Sequence, residues 1–410
     1  MTPTNPAAEA THRFDPWTRD YALLGLRIER LAPGTVDAWI GPPSWRAGVE
    51  AEPLPTPADL RQAAELLAEM LPAMDYAPAR AAYLGRQIRA LGAQTRVLAG
   101  ETLALAEQTE LYFDIQPQRV PEEMLAAAHA ELDRLLPGDG SLADRWAAWR
   151  SGFQATPERV LPLLDRIAAE VRARTVAHLP LPEGESISMA LVRDQPWGAY
   201  NWYQGRAHSL IEINTDLPMQ ADGLVDYLAH EGYPGHHTEH ALRETLQYEG
   251  QGQGEYAIQL INTPESLISE AIATSARALI FPDASDLAWS AAEVWPALGI
   301  QVDPELAGQI RTAARPLSAV SGNVAFLLHA DGGSADAAAA YLERWALRRP
   351  AEAIHGLRFL QSPLWRVYTF TYYYGQRLFA PLLAGPDRWA VFRRLLTTPV
   401  IPSGLGGPAG

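Results

Sequence analysis

Four of the ten histidines fall within eleven residues, in the text Tyr227-Leu228-Ala229-His230-Glu231-Gly232-Tyr233-Pro234-Gly235-His236-His237-Thr238-Glu239-His240. A His-Glu pair on a helix followed by another His is the layout of a metal-dependent hydrolase. Two imidazoles must converge on one cation, while the adjacent Glu, ~100° round the helix, faces the water that reacts. In the strict form of this motif the second imidazole lies four residues after the first. Here that position is Pro234, which cannot donate to the carbonyl of His230, so the helix must kink there. In an unbroken helix His236 would sit ~120° off the His230 face and ~9 Å along the axis. A local bulge at Pro234-Gly235 is therefore expected to bring His236 back as the second ligand. His237 lies on the right face but ~10 Å along the axis; it is the alternative, with a role in orienting a ligand or binding substrate.

A zinc site of this kind needs a third protein ligand and one open position. Glu270 is the best placed, in a segment of small and apolar residues (Leu267, Ile268, Ala271, Ile272, Ala273) where an unpaired carboxylate is costly. Its rival explanation is a buried ion pair with Arg277, and Glu265 is better explained as favouring a helix N-terminus. Glu231 is the expected general base. Tyr372, in a Tyr-rich segment, is a phenol that could stabilise an oxyanion. Asp226, one turn before His230, could orient that ligand. Arg366 and Arg377 could hold a substrate carboxylate. His240 and Glu239 receive no role.

Composition supports a site built from His and carboxylate alone. The 410 residues contain no cysteine and no lysine, so all 33 cations are arginines. That excludes disulfides, thiolate chemistry, cysteine-ligated metals, Walker A loops and Schiff-base lysines. A net charge of -15 argues against nucleic acid or an anionic membrane as partner. No run approaches the ~18 apolar residues needed to span a bilayer. Residues 1–30 contain no apolar signal core, so a cytoplasmic location is expected.

The elements that must carry these residues read mostly as helix. Thr56-Pro57 caps a run with apolar Leu60, Ala64, Leu67 and Met70, and 77–111 reads as one long helix or two. Further helices are expected at 122–136, 157–177, 264–281, 304–314, 320–329, 335–346 and 364–380. Between about 185 and 217, Ile187, Met189, Leu191, Tyr200, Trp202, Ile211 and Ile213 suggest short strands with Gly198 and Gly205 at turns. The expected fold is mainly α with a small β-sheet beside the metal-binding helix. Residues 1–150 would form a helical N-terminal region and 151–410 the catalytic region, with a boundary near 150–156. Gly250–Gly254 is expected to be a flexible loop, and the Gly/Pro tail from Pro402 to fray.

The text His230-Glu231-Gly232-Tyr233-Pro234-Gly235-His236-His237 resembles the His-Glu-x-x-Pro-Gly-His-His signature of the bacterial domain-of-unknown-function family 885, grouped with the zincin metallopeptidases. Flanking text is similar too: Ile211 to Thr215 upstream, Ser269-Glu270-Ala271 downstream, then Pro363-Leu364-Trp365 and Tyr372 to Gln376. The usual Gly-Trp after the third-ligand Glu is replaced by Ala271-Ile272. The resemblance implies a zincin-like helical metallohydrolase holding one zinc ion through His230, His236 and Glu270. Comparison with thimet-type oligopeptidases and dipeptidyl peptidase III, whose spacers are shorter, also favours His236 over His237. The implied activity is a metallopeptidase acting on short peptides or amino-acid conjugates. Rivals are a metal-dependent amidase or esterase on a non-peptide molecule, and a non-catalytic scaffold with a degenerate site.

Overall fold

In a computed structural model, residues 14–195, 197–216 and 218–406 are described. The N-terminal part is helical: α1 (Pro16–Glu29), then a short strand β1 (Val36–Trp39), α2 (Pro43–Ala51), α3 (Pro57–Met70), α4 (Pro78–Leu98), α5 (Leu105–Phe113), α6 (Glu122–Leu135) and α7 (Leu142–Ser151). After β2 (Gln154–Ala155) and α8 (Pro157–Val176) come three strands, β3 (Ser186–Val192), β4 (Ala199–Gly205) and β5 (His208–Asn214), and then β6 (Met219–Gln220). Two short helices follow, α9 (Leu224–Glu231) and α10 (His236–Arg243), then β7 (Ile258–Leu260) and the long α11 (Pro264–Ile280). The remainder is helical: α12 (Ser285–Glu293), α13 (Trp295–Leu298), α14 (Pro304–Ala314), α15 (Val320–His329), α16 (Ala335–Trp345), α17 (Pro350–Gln361), α18 (Thr369–Leu383) and α19 (Arg388–Thr397). The fold is thus mainly α with small sheets.

Local chemistry explains several boundaries. Thr56 and Asp59 close a capping box at α3, with Leu60, Ala64 and Leu67 buried; Met70, expected in the same apolar face, is instead exposed. The 77–111 stretch is two helices, because the chain turns at Gly100 with φ +90°, a conformation that favours glycine. The tail does not begin to fray at Pro402: that residue is buried, and the Ser403 N–H donates to Asp114 (3.0 Å). Residues 407–410 of that tail, residues 1–13 of the N-terminal stretch and Leu217 at the end of the strand region lie outside the described residues. Nor is the glycine-rich loop free at its end, since Gly254 packs on Thr18 and Phe14 of the N-terminal segment.

Three packing relations position the site. The sheet has the order β3-β5-β4, with β5 parallel to β3 and antiparallel to β4; Met189 and Asn201 both pair with Ile211. Ile211 and Ile213 turn inward onto Leu224, Leu228 and Tyr233, so the sheet seats the α9–α10 pair. Strand β1 pairs antiparallel with β7 (Ala38 opposite Gln259), which carries Asp37 from the N-terminal region to the floor of the central cavity. Helix α11 is buried nearly all round, between α9 and α18. Its contact with α18 is close because a Cβ on Gly375 would lie 3.0–3.1 Å from Ala271 backbone and side-chain atoms. Among the described residues no helix is long and apolar enough to cross a membrane.

Candidate metal centre

The kink expected at Pro234 is a complete break. Helix α9 ends at Glu231 and α10 starts at His236, with a cis Tyr233–Pro234 peptide between them. The turn satisfies the helix-end carbonyls locally: the N–H groups of Gly232 and Tyr233 donate to Leu228 O (3.0 and 3.1 Å), and Gly235 N–H donates to Ala229 O (3.0 Å). Gly235 runs so close to α9 that a Cβ there would sit 1.8 Å from His230 O. The bulge expected within one helix is thus replaced by two helix ends meeting across a tight turn.

This turn sets the His236 ring against the His230 ring, centroids 4.8 Å apart and nearly perpendicular. Glu270 arrives from α11, with Oε2 3.5 Å from His230 Nε2 and Oε1 3.9 Å from His236 Nε2. One ligand atom from each of the three residues lies within 4.8 Å of the others. Glu231 stands beside them, Oε1 4.0 Å from His230 Nε2.

The residues present fit a cation. Glu270 Oε2 is buried and has no hydrogen-bond partner, while Oε1 accepts from Tyr368 (3.0 Å). A buried carboxylate oxygen left without a donor is costly unless a cation occupies the space before it. The ring of His236 is aimed by its other nitrogen. Ser269 gives its only proton to Glu239 (2.5 Å), so at 3.1 Å it must accept from His236 Nδ1–H, which makes Nε2, facing Glu270, the nitrogen that would ligate a cation. Two imidazoles and one carboxylate are a zinc-type donor set.

Electrostatics point the same way. Burial pushes the carboxyls of Glu231 and Glu270 up to about 7, against the opposing pull of His236. Burial alone would lower His236, yet the Glu239 carboxylate, 3.8 Å from Nδ1, and the carboxylates of Glu270 and Glu231 outweigh it and raise that imidazole to about 10. Burial, then His236, holds His230 well below its ordinary range. Without a metal the pocket therefore keeps a proton on His236, where a cation would otherwise balance the carboxylates.

The other predicted residues are dispersed. His237 turns away from the cavity: Nε2 meets Glu185 (3.0 Å) and Nδ1 meets Ser209 (2.8 Å). Glu185 also accepts from Tyr233 (2.5 Å) and Arg172 (2.7 Å), so this buried knot braces the turn. Burial would raise Glu185, but these donors hold it down at about 2. Asp226 does not orient His230; it is largely exposed and bonds Arg277 (2.8 Å). Arg277 is thereby committed to Asp226 and Asp286, not to Glu270. Glu265 does not simply serve its helix terminus, because Arg243 reaches it at 2.5 Å in the interior. Arg366 bonds Gln108 and Arg377 bonds Tyr373, both away from the cavity lining. His240 stacks on Tyr203 (4.9 Å). Tyr372 does line the cavity and remains accessible from it.

Five residues of the site escaped sequence reading: Asp37, Tyr200, Asn201, Ser269 and Tyr368. Asp37 and Tyr200 form a short hydrogen bond in the cavity wall. Asn201 donates to the Glu231 carbonyl (2.6 Å), clamping the end of α9. Ser269, the neighbour of Glu270, and Tyr368, in the Tyr-rich segment of Tyr372, carried a signal. The cavity these groups enclose is narrow, about 80 Å³, and aromatic on one side through Trp197, Phe359 and Trp365.

No protein-family model and no curated protein matches the chain. Among solved structures, a candidate lipoprotein from Colwellia psychrerythraea is similar in fold: TM-score 0.52 at 14% identity, over 86% of this chain and 69% of that one. A candidate lipoprotein of unknown function from Shewanella oneidensis gives TM-score 0.48 at 13% identity, covering 88% and 75%. An M32 carboxypeptidase from Deinococcus radiodurans R1 gives 0.36 at 13% identity, covering 92% and 88%. The last two scores are too low to carry an argument, and the first speaks for the fold alone.

Proposed function

We propose that the protein is a single-zinc hydrolase, a metallopeptidase acting on short peptides or amino-acid conjugates. The observation that carries this reading is the convergence of His230, His236 and Glu270 on one point with Glu231 beside it. The likeness of residues 230–237 to the family 885 signature supports it. His230 and His236 would hold the ion through Nε2 and Glu270 through its unpartnered Oε2. When bound, zinc would supply Lewis acidity and make water acidic enough to ionise near neutral pH.

The chain's own groups do the rest. Glu231 is buried and titrates near neutral pH, so its ionised form can take a proton from the attacking water and its protonated form can return it to the leaving amine. Asn201 fixes the backbone at Glu231, so the carboxylate has a defined aim. Tyr372 reaches the cavity and is the phenol for the developing oxyanion. Tyr368 and Ser269 position Glu270 and His236. The aromatic wall and small volume exclude bulk water and folded polypeptide, which favours short substrates.

The test is hydrolysis of a short-peptide library by zinc-supplemented, tag-free protein and its Glu231→Gln variant. Cleavage that disappears in the variant, with the fold retained, supports the reading. Wild-type protein carrying zinc but cleaving no peptide, while hydrolysing simple amides or esters, would replace it with the non-peptide rival.

A further inference from the structure

Beside the metal centre lies a larger cleft, about 900 Å³, whose lining inverts the charge balance of the chain. The whole sequence has 48 acids against 33 arginines, yet this cleft is lined by six arginines and three carboxylates, Asp222, Asp226 and Asp283. Arg277 and Arg311 are neutralised by Asp226 and Asp286, at 2.8 and 2.6 Å. The other four, Arg150, Arg315, Arg348 and Arg388, form no ion pair within 4 Å among the described residues.

We infer that this cleft binds the anionic part of the substrate, so that the preferred substrates are acidic peptides or acidic amino-acid conjugates. This rests on the hydrolase reading and names its substrate class. Placement comes first. Asp226, Thr274 and Gln376 line the cleft, each four residues from His230, Glu270 and Tyr372 respectively. Along all three helices, α9, α11 and α18, the cleft is therefore one turn, ~6 Å, from the reacting centre. That is within the span of about two residues of an extended bound peptide.

Arg348 carries the specificity. It is half-buried and unpaired, and its guanidinium lies over Gly356 of α17, where a Cβ would come within 2.2 Å of Nη1. Burial, reinforced by Arg150, disfavours its charge, and Glu352 offsets this only in part. A guanidinium held in this way lacks the planar anion that its donors fit, and a carboxylate supplies it. The sequence-level candidates Arg366 and Arg377 are engaged elsewhere, so this cleft is where a carboxylate clamp can form.

Matched peptides that differ only as Glu or Gln beside the scissile bond test the proposal on the zinc-loaded full chain. The Glu peptide should have a kcat/KM higher by about tenfold at low salt, with the preference shrinking as salt rises. Arg348→Gln with Arg388→Gln should bring the ratio near unity. Gly356→Ala, a change compatible with a helix, should also lower it by displacing the Arg348 guanidinium, with the circular dichroism unchanged. Equal cleavage of both peptides, or a preference that survives the double variant, overturns the proposal. If no peptide is cleaved the hydrolase reading has failed, and calorimetry with a tetraglutamate probe still decides the cleft. Binding that is lost in the double variant supports it; no binding overturns it.

Discussion

Gly235→Ala tests most sharply how the turn builds the site. The added Cβ would lie 1.8 Å from His230 O and 2.5 Å from Ala229 O, against an ordinary contact distance of 3.4–4 Å. Backbone carbonyls cannot swing aside as side-chain tips can, so α9 and α10 must separate by roughly 1.5 Å in a packed interior. Overpacking of this kind costs ~1–3 kcal/mol of stability. The displaced groups are the backbones of His230 and His236, whose Nε2 atoms would have to meet at one ion in the proposed centre. A misplacement of ~1 Å costs about 100-fold in rate. Urea denaturation, zinc affinity by chelator competition and peptide hydrolysis read the three effects. Gly48→Ala is the control, since it sits within α2 and its Cβ would meet nothing within 4 Å; it should be neutral or slightly stabilising. A Gly235→Ala protein with wild-type stability and zinc affinity would refute the close-packed turn as the device that joins the two histidines.

Three further outcomes follow from the same geometry. Tyr368→Phe removes the donor to Glu270 Oε1 and should weaken zinc binding roughly 10-fold, measured by chelator competition, with little change in fold. Glu185→Gln should destabilise the chain by roughly 1–3 kcal/mol at pH 7, read by urea denaturation, because Glu185 is held at about 2 against an ordinary 4.5 and solvent at the half-exposed Arg172 screens part of that. Its folded value is depressed, so that stabilisation is complete above pH 4.5 and is lost as the pH falls toward 2. Zinc binding should release protons and strengthen as pH rises, because Glu270 at about 7 and His236 at about 10 must both give up a proton to ligate. Calorimetry in buffers of different ionisation enthalpy at pH 6 and 8 measures the release, and a proton-neutral binding reaction would contradict these protonation states.

The helical character and the strands at 186–214 were legible because periodicity is a local property. The same holds for His230, Glu231 and His236, which one turn brings together. Glu270 could be chosen by the cost of a carboxylate among apolar neighbours, although its sequence neighbours said nothing of Tyr368. What could not be read depended on distant pairing. Asp37 reaches the cavity only because β1 pairs with β7, more than two hundred residues later. Asp226 looked like a site residue by spacing and Arg277 like the ion-pair partner of Glu270, but side-chain direction on α9 and α11 turned them toward each other and into the arginine cleft. The break at Pro234 was foreseeable as a disruption of the helix. Its form was not, since it depends on Gly235 lying against the carbonyls of the preceding helix.

Zinc stoichiometry in tag-free protein, compared among wild type, His236→Ala and Glu270→Gln, tests the central claim most directly. One zinc per wild-type chain, falling well below one in each variant while circular dichroism stays the same, is the predicted result. A folded wild-type chain that takes up no metal from zinc-containing buffer, or variants that retain a full equivalent, would contradict a metal centre at His230, His236 and Glu270.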